Sequence, residues 1–230
     1  MKKPTKFLLW IVAVIAIVVL GYRWIYPSYI WHQKLTVEVT TPEGVRSDSS
    51  VIEARVTYQP TLGLPEAKGI SNHWRGEAAV IDLGEGRMLF ALLGHPIYEA
   101  QDTFKKSILR DPEARYPSIS YSKLSRLRQK AKVPDYRFPL LVTFTDINDP
   151  ASVVRVDPDD LESHFGAGVR LKAVTLEITD EPVTQGEVEK VLGWIDSFGH
   201  NKLDGRRYET INAKNRFANS LGVGNFRIRD

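Results

Sequence analysis

Two histidines stand where titratable neighbours could assemble a site. His95 is followed by Glu99 and Asp102, and His164 lies four residues after Asp160. A carboxylate set against an imidazole is the pairing used for general acid–base chemistry. Each histidine also has a structural reading: His95 precedes the helix-starting Pro96 and His164 falls in a short helix, so a packing or surface role is expected for both. Asp146, Asn148, Asp149 and Asp157 have the oxygen spacing that opens a calcium loop. Its fifth position is Pro150, its sixth is Ala151 where glycine is needed, and its last acid is Asp157 in place of a bidentate glutamate. A turn is expected there, with no metal and no cofactor. The sequence contains no G-x-S-x-G, H-E-x-x-H, Walker A or complete G-x-G-x-x-G, so no catalytic residue is assigned.

Charge gives one further candidate. Residues 105 to 137 carry ten basic and three acidic side chains, net +7, against −5 for residues 35–104 and −4 for 138–230. Leu124, Leu127 and Ala131 make an apolar stripe beside Arg126, Arg128, Lys130 and Lys132, the pattern of a short basic amphipathic helix. Such a helix either presents a solvated face or engages an anionic surface, and these four residues are the candidates for the second role.

These candidates need a scaffold, and the chain begins with an anchor. Phe7 to Tyr26 is a twenty-residue apolar stretch whose single charge is Arg23, enough at ~1.5 Å per residue to cross the ~30 Å hydrocarbon layer. Tyr22, Arg23, Trp24, Tyr26, Tyr29 and Trp31 gather at its end, as aromatic rings and a reaching arginine do at a membrane interface. Lys2, Lys3 and Lys6 precede it, which by the positive-inside rule keeps the N-terminus in the cytoplasm. A cleaved signal peptide is the rival reading, with Val19 and Gly21 as small residues before the cut, but no A-x-A is present. The expected organisation is a cytoplasmic tail at 1–6, a transmembrane anchor at 7–26, a linker at 27–34 and an extracytoplasmic domain at 35–230.

Within that domain, Leu35, Val37 and Val39, then Ile52, Ala54, Val56 and Tyr58, alternate with polar residues as half-buried strands do. Ala78 to Leu93 reads as a hairpin turning at Gly84 to Gly86 with strands covered on both faces, and so central in its sheet. Phe138 to Phe144 and Val169 to Thr179 give two more strands, the latter slipping phase at Ala173 and Val174 as a β-bulge does. Pro96 starts a helix that buries Ile97, Ala100, Phe104 and Ile108. Asp157 before Pro158 and Thr184 paired with Glu187 read as helix caps. Strands mixed with helices without regular βαβ alternation predict an α+β fold, a mainly antiparallel sheet with packed helices following the transmembrane helix.

The chain carries 31 basic and 28 acidic residues, but residues 1–34 hold five of the basic ones and no acid, leaving 26 against 28. The slightly acidic remainder argues against nucleic acid as a partner. No cysteine is present, which excludes disulfides, thiolate metal sites and a cysteine nucleophile. The segments HQKLTVEVTTPEGV, GEAAVIDLGEGRMLFALL and FTDINDPASVVRVDPDDLESHFGAGVRLKAVTLEITDEPVT resemble a family of membrane-anchored proteobacterial envelope proteins of uncharacterised activity. The resemblance implies a bacterial inner membrane with the domain in the periplasm, and supplies no catalytic residue. The expectation is an anchored, non-catalytic binding or accessory domain whose partners are the bilayer and an envelope protein. A hydrolase-like envelope enzyme with a dispersed active site and a structural subunit of a membrane complex are the alternatives.

Overall fold

The computed structural model describes residues 4–61, 63, 69–111 and 118–229. In chain order the elements are α1 (Pro4–Ile25), β1 (Ser28–Thr41), β2 (Gly44–Tyr58), β3 (Ile70–Glu77), β4 (Ala79–Asp82), β5 (Met88–Ala91), α2 (Pro96–Thr103), α3 (Lys105–Ile108), α4 (Tyr121–Leu124), β6 (Lys130–Lys132), β7 (Leu141–Phe144), β8 (Val153–Arg155), α5 (Glu162–Phe165), β9 (Arg170–Thr179), α6 (Glu187–Val191), α7 (Arg216–Ser220) and β10 (Arg227–Ile228). The fold is α+β with antiparallel sheets. The chain divides into two compact units, residues 1–30 with 55–73 and residues 31–54 with 74–230.

In the first unit, α1 has 22 residues, and its Leu8–Ile25 stretch is apolar, unburied and long enough to cross a membrane. Lys2 and Lys3 lie outside the described residues. Tyr22 and Trp24 are exposed near the end of α1, and the Tyr22 ring lies 5.0 Å from that of Tyr26. The expected linker is a strand from Ser28 onward: Tyr58 N–H donates to the Pro27 carbonyl, Ser28 and Thr57 hydroxyls meet at 2.9 Å, and Tyr29 packs edge-on against Tyr58. β1 starts that early because β2 runs long enough to pair with it, so the backbone groups of the supposed linker bond to a neighbour instead of water.

The second unit contains the rest of β1, and strand parity overturns one expectation there. Trp31 shares a face with Gln33, Leu35, Val37 and Val39, all buried, so it belongs to the core and not to a membrane interface. Its Nε1 donates to Gln33 Oε1 and its ring stacks on Tyr121. The larger sheet has the order β10-β3-β2-β1-β9-β6 and the smaller β4-β5-β7-β8. β1 pairs with β9, Glu38 opposite Ala173 and Val39 opposite Leu171, so Lys172 is the extra residue of a bulge, one position before the phase slip in the sequence. The hairpin of β4 and β5 forms as expected, with β5 inside its sheet and β4 at the edge. One face of that sheet, with Val80, Phe90, Leu92, Val142 and Val153, closes over Val188, Leu192, Ile195, Leu221 and Phe226.

Gly76 in β3 lies opposite Ile228 of β10 with φ +144°, and a Cβ there would meet Ile52 Cα at 3.1 Å and the Val51 carbonyl oxygen at 3.2 Å. Both neighbours are backbone and cannot swing aside, and the dihedral itself disfavours a side chain. Gly76→Ala is expected to lower stability by about 2 kcal/mol, read as the urea midpoint of the full chain in detergent micelles. An unchanged midpoint would show that β2 and β3 can separate freely at this point.

Candidate functional site

The sequence places the titratable residues His95, Glu99 and Asp102 close together, and the structure builds a site around them. After β5 the chain passes through buried Leu92 and Leu93 and exposed Gly94 to His95, which begins α2 with Pro96 in its first turn. Ile97, Ala100, Phe104 and Ile108 are buried as expected. The opposite side carries His95, Tyr98 and Asp102, and elements distant in sequence reach it.

The rings form a ladder. Trp74 of β3 lies 4.9 Å from His95, and His95 stacks on Tyr98 at 4.0 Å with the planes 21° apart. Arg137, at the end of the 3₁₀ turn Asp135–Arg137, sits over the Tyr98 ring at 5.7 Å and over the Tyr136 ring at 5.6 Å. Its Nε donates to Asp102 Oδ2 at 2.5 Å, and this hydrogen bond above all raises its pKa. Tyr98 and Tyr136 are 43% and 75% exposed, so the ladder runs outward from Trp74 to the surface.

On the same helix Glu99 is buried, only 7% exposed. Burial raises its pKa to about 7, against the opposing pull of the Arg137 charge. A Cβ on Gly94 would stand 2.8 Å from Glu99 Oε1, and Gly94 has no positive φ that would demand glycine. The missing side chain therefore leaves room for the carboxyl. His95 has its pKa lowered, first by burial, and its Nδ1 and the Trp74 Nε1 are both buried without a partner among the described residues. The sequence signal for His95, Glu99 and Asp102 was their spacing; Trp74, Tyr98, Tyr136 and Arg137 carried none beyond their residue types.

The basic candidates are arranged differently from the expectation. The helix stops at Leu124, where the Ser125 hydroxyl bonds back to the Ser122 carbonyl. Lys130–Lys132 instead forms β6 on the edge of β9, with Gln129 accepting from Ile178 N–H. Open backbone groups on β9 outweigh the helical pattern of a short stripe. Arg128 pairs with Asp180, Lys132 with Asp135, and Lys130 faces Glu177 across the strands, while Arg126 is exposed. Of the segment's other charges, Glu113 and Arg115 lie outside the described residues.

The remaining sequence candidates are turns and caps. Asp146 Oδ1 accepts from Asn148 N–H, Asp149 Oδ1 from Ala151 N–H and Asp157 Oδ1 from Asp159 N–H, so each carboxylate closes its own turn. Asp157 does not cap a helix: α5 begins later, and Asp160 accepts from Ser163 N–H. His164 is exposed on α5. Thr184 accepts from Val51 N–H instead of closing a capping box, and the first turn of α6 is capped by Glu77.

No protein-family model, curated protein or solved structure matches the chain, and the site is therefore read from its own geometry. A cavity of about 200 Å³ is lined by Arg75, Glu77, Thr184 and Arg229, and one of about 270 Å³ by Lys132, Asp159 and Lys172; neither includes a residue of the ladder. The ladder is a surface of rigid planar groups, one guanidinium and hydroxyls, which suits recognition.

Proposed function

We propose that this is a membrane-anchored, non-catalytic binding domain of the bacterial envelope, held by α1 with its N-terminus in the cytoplasm and recognising its partner through the Tyr98–Arg137–Tyr136 surface. The observation that carries the reading is the ladder itself: exposed aromatic rings already stacked against an arginine lose little side-chain freedom on binding. Glu99 has the acidity near neutrality that a general acid needs, which is what an envelope enzyme would use. Its burial under Gly94, with no ladder residue in the cavities described, favours binding over turnover.

The orientation rests on Lys2, Lys3 and Lys6 ahead of the apolar run and on exposed Tyr22 and Trp24 behind it. The resemblance to proteobacterial envelope proteins supports an inner-membrane setting. A reporter active only outside the cytoplasm, fused after Asp230, is expected to be active, and the mature chain is expected to begin at its initiator end. A silent reporter refutes the orientation, and a mature chain starting near Tyr22 refutes the anchor. For the binding surface, a photoreactive phenylalanine at position 136 is expected to capture a neighbour in native membranes, and one at exposed Ile211 is not.

A further inference from the structure

The Arg137 guanidinium carbon lies 5.7 Å from the Tyr98 ring centroid and 5.6 Å from that of Tyr136, and Asp102 takes its Nε hydrogen, while Nη1 and Nη2 have no hydrogen-bond acceptor among the described residues. Three arginines of the domain use their terminal nitrogens, Arg128 on Asp180 and the Leu127 carbonyl, Arg87 on the Phe165 carbonyl and Arg227 on Glu189 and Asp196, whereas Arg170 resembles Arg137 in bonding through Nε. The Arg137 side chain nevertheless stays 38% exposed.

A guanidinium fixed in this way presents parallel N–H groups along one edge, the arrangement that matches two oxygens of an oxyanion. The Tyr98 and Tyr136 hydroxyls also lack partners among the described residues. Both rings lie close to the guanidinium carbon, so two further donors stand near it. A carboxylate's two oxygens are satisfied by that edge alone, whereas a phosphate has further oxygens to offer the hydroxyls. Asp102 holds the fork by its Nε and leaves that edge free.

We propose that Arg137, framed by Tyr98 and Tyr136 and oriented by Asp102, is a receptor for a single phosphate group, carried by a lipid headgroup or by a soluble phosphate ester. This rests on the binding reading above and names its ligand chemistry. Lysine at this position keeps the charge and loses the fork, so charge and geometry are separable.

The test is calorimetric titration of the full chain in maltoside micelles with inorganic phosphate, with acetate in parallel. Saturable phosphate binding is expected, about ten-fold weaker in Arg137→Lys and in Tyr136→Ala and unchanged in Arg126→Gln. Urea midpoints confirm that each variant is folded. Equal affinity of wild type and Arg137→Lys, or no saturable binding up to millimolar phosphate, overturns the proposal; acetate binding as tightly as phosphate overturns the choice of phosphate. Reconstitution then separates the sources. Phosphatidylglycerol vesicles that abolish phosphate binding, while neutral glycolipid vesicles leave it, identify the headgroup, and retention in both identifies a soluble ester. Capture of a neighbour through position 136 without phosphate binding refutes this proposal and leaves the binding reading standing; absence of both refutes both.

Discussion

Between pH 4.5 and pH 7 the folded chain is expected to lose about 3 kcal/mol of stability through Glu99 alone. Its ordinary pKa of 4.5 is raised to about 7, with burial as the main cause and the Arg137 charge opposing it. In that window the folded state keeps a proton on Glu99 that the unfolded state has released. Stability therefore falls as pH rises from the unfolded value and levels off above the folded one. Each pH unit corresponds to ~1.4 kcal/mol, and a carboxyl that is only 7% exposed feels little solvent screening. His95 acts in the opposite direction, because its lowered pKa makes the folded state prefer the neutral ring, and Asp48 acts with Glu99. The difference between wild type and Glu99→Gln isolates the one group. Urea unfolding of the full chain in micelles at several pH values is expected to show the variant gaining on the wild type by about 3 kcal/mol from pH 4.5 to pH 8. A pH profile that the substitution leaves unchanged would show that water reaches the carboxyl in the folded state.

How much of this was legible in the sequence depended on whether the deciding interaction was local. The apolar helix, the alternation of β1 and the buried stripe of α2 are periodic patterns within one segment, and all three appear in the structure. The bulge of β9 was readable to within one residue because a phase slip leaves its trace in the same strand. Segments failed where a distant partner decided. The Arg126–Lys132 stripe has helical spacing, but the edge of β9 takes its last residues as a strand. Glu53 reads as an outward residue of β2 yet is buried, because Arg75 reaches it at 2.9 Å from the next strand in the sheet. The +7 of residues 105–137 is partly offset in three dimensions for the same reason: Asp180 and Asp102 come from other segments to meet Arg128 and Arg137. In the candidate site, His95, Glu99 and Asp102 were visible as titratable residues close in sequence, whereas Trp74 and Arg137 arrive from β3 and a 3₁₀ turn that no local pattern connects to α2.

The replacement of one cap by another leads to the second large effect. The sequence offers Thr184 and Glu187 as a capping box, but the first turn of α6 is closed by Glu77, whose Oε1 accepts from Gly186 N–H at 2.7 Å and Oε2 from Glu187 and Val188 N–H at 2.9 and 3.2 Å. Glu77 is 2% exposed, and its own carbonyl takes the Ser50 hydroxyl at 2.6 Å. A helix of five residues cannot stand by its backbone alone. It is held by Val188, and by Leu192 just beyond it, in the core and by a carboxylate that satisfies three of its free N–H groups. Glu77→Ala removes the acceptor and leaves those donors where water enters poorly, at ~1–3 kcal/mol for a buried unsatisfied group. With partial relaxation, a loss on the order of 4 kcal/mol is expected, or about 10 °C in Tm for a domain of this size. Glu77→Gln keeps one carbonyl oxygen and should lose about half as much. Glu187→Gln, which removes only the exposed pairing with Lys190, should change stability by less than ~0.5 kcal/mol. Hydrogen exchange gives the local readout, since the amides of Gly186, Glu187 and Val188 should lose protection first in Glu77→Ala. If those amides stay protected and the loss is under ~1 kcal/mol, burial of Val188 and Leu192 alone holds α6 in place, and the buried glutamate serves the sheet rather than the helix.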